Sequence, residues 1–490
     1  MKRTLLPALA SLVIVCATRP ATSLPAPPAP ESTAFEARLN AELGVPGGLT
    51  ADHVARRAVV TSFDVSARRA GLVAAAADVD RALLAYLPEV SVSASYLRLS
   101  DIGTSNLGTI VVAPDSPPGP LPPGATLANA PFVLEGILNQ YVLQANLLVP
   151  VSDYFLRVAP AHASAKYAEQ AASANVLVAR AQTMTDAQVT YYGWVRARLA
   201  VTVAEQALRD AEAHLRDARV GEDAGTASHA DVLRLESQVA RSELLLISSR
   251  SLAALSEQQL RTALHDDSNE PLAVGEDIRI DPPPAPATAG AEGRILPTLW
   301  TQAERNRPEL RALSANARAF GAQARAERAS YLPRLELLAG ATYANPNPRI
   351  FPPESEFRGT WQAGGRLSWA LNDIPAARAR AEAATARGAA SIAERSALVD
   401  RVHIEVRAAL QAVDDSDVAL RTTRRGLAAA EESYRVRRLL FQNGRSTSVE
   451  LLDAETELTR ARLENLNTLV DARVTRARLK YALGLVVPSP

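Results

Sequence analysis

The stretch AYLPEVSVSASY, residues 85–96, sets an Ala/Arg-rich helical pattern directly against an extended one. After Pro88, the apolar Val90, Val92, Ala94 and Tyr96 alternate with Ser91, Ser93 and Ser95, the period of a strand with one greasy and one wet face. Pro88 has no backbone N–H for a continuing helix, which helps enforce the change. The chain does the same again as SYLPRLELLAGATY, residues 330–343, with Pro333 at the junction.

Working outward, the same offset places Asp64-Val65-Ser66-Ala67 on Glu309-Leu310-Arg311-Ala312. Farther along, Val151-Ser152-Asp153 falls on Leu371-Asn372-Asp373, and GTASHADVLRLES (225–237) on GRSTSVELLDAET (444–456). The offset shortens because the first copy carries a longer Pro/Gly segment, roughly residues 99–131. Four matches in one order read as duplication. The boundaries follow: signal peptide 1–23, N-terminal linker 24–48, first repeat 49–270 with strands at about 89–99 and 139–149, Pro-rich linker 271–295, second repeat 296–485 with strands at about 334–343 and 361–371, and tail 486–490.

Each copy reads helix, strand, loop, strand, very long helix, turn, long helix. From Tyr154 to about Val220, and from Ala376 to about Gln442, proline is confined to Pro160 near one helix start. At 1.5 Å per residue each helix would run about 100 Å. After Gly444 the returning helix carries Leu463, Leu466, Val470, Val474, Ala477 and Tyr481 at coiled-coil spacing. Gly221, Gly225 and Asn443-Gly444 supply the backbone freedom a helix reversal needs. Taken alone, these helices describe two antiparallel coiled-coil hairpins.

The strands change that reading. Residues 139–149 set Tyr141, Leu143, Ala145, Leu147 and Val149 against Gln140, Gln144 and Asn146. Residues 361–371 set Trp361, Ala363, Leu367, Trp369 and Leu371 against Gln362, Arg366 and Ser368. Each strand is close to the length a tilted strand needs to cross a bilayer. A soluble sheet covered by helices would alternate in the same way, but polar Pro-rich loops and helices too long to fold back as a lid count against it. Four strands cannot close a barrel, and an open edge in lipid leaves backbone groups unpaired. Three copies would supply about twelve strands, enough to enclose a pore lined by the polar faces.

The bulk composition agrees with an exported channel. Lys2 and Arg3, an apolar run from Leu5 to Ala17 and small residues around Ala21-Thr22-Ser23 have the order of a secretory signal peptide. Cys16 is the one cysteine; Val13-Ile14-Val15 before it is too bulky for typical lipoprotein processing, and cleavage near Ser23 removes it. The formal net charge of +0 gives no reason to propose a nucleic-acid partner. His53, His162, His214, His229, His265 and His403 are scattered singly, with no phosphate loop or nucleophile elbow, which excludes common enzyme and metal motifs and leaves no cofactor expected.

The two Tyr-Leu-Pro junctions, the stretch Ala303-Glu304-Arg305-Asn306-Arg307-Pro308-Glu309-Leu310, the paired turns Gly225 through Glu236 and Gly444 through Glu455, and Leu-Lys-Tyr-Ala-Leu-Gly at 479–484 together resemble the TolC family of outer membrane efflux and secretion channels. That resemblance implies a mainly α fold with a β-barrel portion. In it a homotrimer closes a 12-stranded barrel in outer membrane lipid on an α-helical barrel that crosses the periplasm. It also implies a passive conduit served by a periplasmic adaptor (membrane fusion) protein and an inner-membrane pump of RND, ABC or MFS type. Glu450 and Asp453 stand where this family has acidic residues at the closed end, with Asp231 at the matching acid and Arg234 at the position of Asp453 in the first copy. Phe441 stands where the family often has an aromatic, although core packing accounts for it equally. Docking is expected near Gly221 to Gly225 and Asn443, Gly444 and Ser446. A plainer reading of Thr447-x-x-Glu450 and Ser228-x-x-Asp231 is the capping box, which is compatible with a pore role. The competing architecture is a periplasmic coiled-coil adaptor or a structural coiled-coil protein without a channel; an adaptor ordinarily has one hairpin rather than two hairpins with two strand pairs.

Overall fold

A computed structural model describes residues 31–486 except 102–104, 115–116, 118, 135, 269 and 283–291. The expected signal peptide, Cys16, the middle of the Pro-rich linker and most of the tail lie outside the described residues.

The order of elements is α1 (Glu31–Glu42), α2 (Ala51–Thr61), α3 (Phe63–Leu84), β1 (Glu89–Arg98), β2 (Ser105–Val112), β3 (Ala128–Leu134), β4 (Asn139–Val149), the single turn α4 (Val151–Asp153), a π-turn at Tyr154–Val158, α5 (Ala159–Asp223) and α6 (His229–Leu264). The second copy follows as α7 (Glu292–Asn306), α8 (Pro308–Arg328), β5 (Arg334–Asn345), β6 (Arg358–Ser368), a 3₁₀ turn at Leu371–Asp373, α9 (Ile374–Gln442) and α10 (Ser448–Ala482). Local chemistry sets the boundaries. Ser62 caps α3 by accepting from the Val65 N–H. Pro160 and Pro375 lie in the first turns of the two longest helices, where a missing N–H costs nothing. Pro88 and Pro333 each stand one residue before a strand.

The main sheet has the order β1-β4-β5-β6 and is antiparallel throughout. Its register lines up the apolar alternation: Val90 faces Leu147, Val92 faces Ala145 and Tyr96 faces Tyr141. The row continues with Leu143 opposite Tyr343 and Ala341 opposite Trp361. Ser93, Gln144, Thr342 and Thr360 form a polar row of the other parity, as do Ser91, Asn146, Gly340 and Gln362. Arg366 and Glu336 pair across this polar face at 2.7 Å. The apolar row is not covered: Val92 is 69% exposed and Trp361 77%. An uncovered apolar face this continuous marks contact with something apolar outside the chain. Both outer strands, β1 and β6, lack a second strand partner among the described residues.

The core gathers around the middle of α5. Trp194, Tyr191 and Leu199 from α5 pack with Leu260 and Leu264 from α6 and with Leu466 and Val470 from α10. Residues 31–42, expected as linker, form α1, and Phe35, Leu39 and Leu43 are buried in this same core. Val274 and Ile278 of the linker are also buried there. Leu49 and Val274 form a parallel bridge, and a Cβ at Gly275 would lie 2.3 Å from the Gly48 carbonyl oxygen, so two backbones touch where only glycine fits. Arg473 fixes the segment by donating to the carbonyls of Ile280 at 2.6 Å and Asp277 at 3.3 Å.

Three expectations need correction. The segment 99–131, expected as loop, contributes to a separate antiparallel hairpin of β2 and β3, so the chain has more than four strands. The last strand of the main sheet runs 358–368 rather than 361–371. Gly359 pairs opposite Tyr343, whose ring covers it, which extends the strand at its start. Trp369 and Leu371 fall past its end, where the chain tightens toward Pro375. Gly221 lies inside α5 rather than in the turn, where a Cβ would meet that of Ala227 at 3.1 Å. Among the described residues no helix is long and apolar enough to cross a membrane.

Candidate functional site at the hairpin tips

Both helix hairpins reverse by the same chemistry. Gly225 has φ +76° and Gly444 has φ +68°, the left-handed conformation that ends a helix. Across the first turn, the N–H groups of Thr226 and Ala227 donate to the Gly221 carbonyl at 2.8 and 3.1 Å. Across the second, Arg445 N–H donates to the Leu440 carbonyl at 2.8 Å and Asn443 Nδ2 to that of Leu439 at 2.7 Å.

The returning helices start with reciprocal capping boxes. Asp231 N–H donates to Ser228 Oγ while the Asp231 carboxylate accepts from the Ser228 backbone N–H. Glu450 N–H donates to Thr447 Oγ1, and the Glu450 carboxylate accepts from Thr447 N–H at 3.2 Å and from Ser446 Oγ at 2.5 Å. The capping reading therefore holds for both acids. Hydrogen bonds from Ser228 and Ser448 hold the Asp231 carboxyl below the usual carboxylate range, and that from Ser446 does the same for Glu450. Both are anionic at neutral pH.

Asp231 also does something the sequence did not announce. Its Oδ1 accepts a short hydrogen bond from Ser448 Oγ and a second bond from Arg234 Nη1 at 3.2 Å. Arg234 Nη1 also donates to Ser448 Oγ at 3.0 Å. Ser448 is the first residue of α10, so this triad ties the two hairpin tips together. Just inside it, Val232 and Leu235 pack with Ala218 and Leu452, an apolar patch shared by both hairpins. Arg234 is half-exposed and pairs with Asp231 one turn before it on the same helix. Arg437 completes the second tip with an ion pair to Glu450 at 3.1 Å.

Asp453 lies on α10 beyond its cap, with its side chain exposed, while the adjacent Leu451 and Leu452 are buried. Phe441 packs against a buried cluster that includes Tyr434, Leu451 and Leu458. Ser448 and the tie between tips were missed because they depend on how two hairpins dock, and Arg437 because its partner lies across the turn of its own hairpin. Among the described residues no group of three His, Cys, Asp or Glu is placed to hold a metal ion.

Residues 299–485 match the model of a sequence family described as outer membrane efflux protein. Solved structures with the same fold include the open state of the Neisseria gonorrhoeae MtrE outer membrane channel, 17% identical, covering 89% of each chain with a TM-score of 0.69. The outer membrane protein VceC of Vibrio cholerae is 16% identical, covering 92% of this chain and 97% of its own, with a TM-score of 0.67. The outer-membrane channel OprN is 21% identical over 89% of each chain, also at 0.67. No curated protein matches the chain in sequence.

Proposed function

We propose that the chain is an outer membrane efflux protein, as the match over residues 299–485 suggests, and that three copies assemble into a passive conduit through the outer membrane and periplasm. One observation carries the reading. The β1-β4-β5-β6 sheet exposes its apolar row, is polar on the other face and leaves both edges open. Pairing β1 of one copy with β6 of the next would satisfy every edge and surround water with Ser, Gln, Asn, Thr and the Arg366–Glu336 pair. The long helices would continue the conduit into the periplasm. A periplasmic adaptor and an inner-membrane pump would meet it at the tips around Gly225 and Asn443 to Ser446. An adaptor in its own right is disfavoured, because membrane strands would then have no use.

In this assembly Glu450 and Asp453 of each copy would lie near the axis and give the entrance a negative potential that attracts cations. The test is reconstitution of the purified protein in planar bilayers. Wild type is expected to form a stepwise conductance blocked from the tip side by divalent cations, and to migrate as a heat-modifiable oligomer from outer membranes. The variant Glu450→Ser/Asp453→Ser is expected to raise the half-blocking concentration about tenfold. Unchanged block would remove these carboxylates from the entrance. A monomer that stays ordered in plain buffer without conductance would remove the channel reading itself.

A further inference from the structure

The seam between the two hairpins is apolar at the tip, where Val232, Leu235 and Leu452 meet, and apolar again at the level of Trp194 and Leu466. Between these levels lies a polar layer. Glu455 of α10 is 2% exposed, and its two carboxylate oxygens accept no hydrogen bond among the described residues. His214 of α5 is equally buried, and its Nε2 lies 3.9 Å from Glu455 and 2.9 Å from the hydroxyl of Tyr434 on α9. A solitary unsatisfied carboxylate here would be costly, so the group must hold its proton while the helices are packed.

We propose that Glu455 and His214 form a proton-linked catch in the α5–α10 seam, so that parting these helices near neutral pH releases a proton and acidity keeps them together.

The surrounding charges determine the sign. From α5, Asp210 faces Glu455 and repels its ionised form; Asp210 also accepts from Gln206 Nε2 at 2.7 Å and lies 4.0 Å from Arg462. Arg462 of α10 shares this charge with Glu431 of α9 and rests over the Phe35 ring of α1 at 4.2 Å, with Glu36 of α1 nearby. Arg38 of α1 is engaged by Gln206 at 2.9 Å. Arg438 of α9 bears on His214 and disfavours the imidazolium. The cations are thus directed at Asp210 and Glu431 or placed against His214, and among the described residues Glu455 is left without one of its own.

Burial and Asp210 push the Glu455 carboxyl from 4.5 up to about 8, while burial and Arg438 push the His214 imidazole from 6.5 down to about 4. A distance of 3.9 Å would suit an ion pair, but both shifts favour the neutral acid beside the neutral base. Between 4.5 and 6.5 the packed seam carries one proton on Glu455 and the parted seam one on His214, so no net proton moves. Above 6.5 the parted seam carries none, and the packed seam keeps its proton until about 8. In that window packing weakens as pH rises, by up to tenfold in the opening equilibrium per pH unit.

Hydrogen–deuterium exchange of the α10 peptide around Glu455, in the full-length protein in detergent, reads that equilibrium. After correction for intrinsic exchange, wild-type opening is expected to rise about tenfold per unit between roughly pH 6.5 and 8. Glu455→Gln keeps the shape without a titrating proton and is expected to flatten the slope. A flat wild-type profile overturns the proposal, as does an undiminished slope in Glu455→Gln. Infrared difference spectra of wild type provide a check that needs no variant: a protonated-carboxyl band present at mildly acid pH must vanish as pH rises through about 8. Absence of that band also overturns it. The catch concerns how hairpins pack and stands or falls separately from the conduit.

Discussion

Replacing Trp194 with alanine is expected to destabilise the protein by about 3–5 kcal/mol. Trp194 is 1% exposed and is among the largest fully buried side chains. Its ring lies 6.0 Å from that of Tyr191, and the Arg198 guanidinium stacks over it at 5.7 Å. The surrounding core gathers α1, α2, α5, α6, α9 and α10, so an empty volume there loosens six helices at once. Rigid helix backbones cannot collapse to fill it, which puts the cost at the upper part of the range for such truncations. The measurement is the apparent melting temperature of the purified protein at a fixed scan rate, expected to fall by several degrees. Trp194→Phe keeps part of the volume and should recover more than half of the loss. A Trp194→Ala shift no larger than that of an exposed control substitution would mean the core is not organised around this residue.

The second large effect is expected at the tips. Asp231→Ala removes one half of a capping box, the acceptor of the Ser448 hydroxyl and the partner of Arg234. A cap is worth about 1 kcal/mol and a charged hydrogen bond somewhat more, discounted here because the side chain is partly exposed. A loss of about 2 kcal/mol in the tie between tips would raise the population of separated tips roughly 30-fold. Hydrogen exchange at residues 228–235 and 447–452 should accelerate accordingly. Conductance in bilayers should rise with it if the tips close the conduit. Asp231→Asn keeps an acceptor for Ser448 without the charge and should give a smaller change. Unaltered exchange in Asp231→Ala would show that the apolar patch of Val232, Leu235 and Leu452 holds the tips without the polar triad.

The pH dependence of the tip differs from that of the seam. Because the folded protein holds Asp231 and Glu450 below the usual carboxylate range, their contribution is present at neutral pH and lost only under acid conditions. Glu455 acts in the opposite direction, with packing weakened as pH rises toward about 8.

Much of this organisation was legible because it rests on short-range rules. Tyr-Leu-Pro fixes a helix-to-strand junction within a few residues, and the alternation from Val90 to Tyr96 assigns faces that the register then matches. The capping boxes at Ser228 and Thr447 are equally local. What escaped was set by partners distant in sequence. α1 is held by residues of α5 and α10, and its pattern carries little helical amphipathicity of its own. The β2–β3 hairpin lies in a Pro/Gly-rich segment whose composition suggested loop. The fold reading also shifted β6, because a pairing between Gly359 and Tyr343 is invisible until β5 is in place. At the candidate site, the acids were picked out by position in the repeat, but Ser448, His214 and Glu455 acquire meaning only when the hairpins are docked.

The two open margins of the main sheet differ, β1 being one and β6 the other. A ring built from such pieces joins unlike margins head to tail, so every subunit is needed twice. A chain with a spoiled β6 would still offer a sound β1 and be recruited by healthy neighbours. It would then leave a gap in the ring wherever it sat. For the proposed trimer, a cell making sound and spoiled chains equally would have about one ring in eight intact. Damage at this margin, co-produced with sound chains, would thus behave as poisoning rather than as simple dilution.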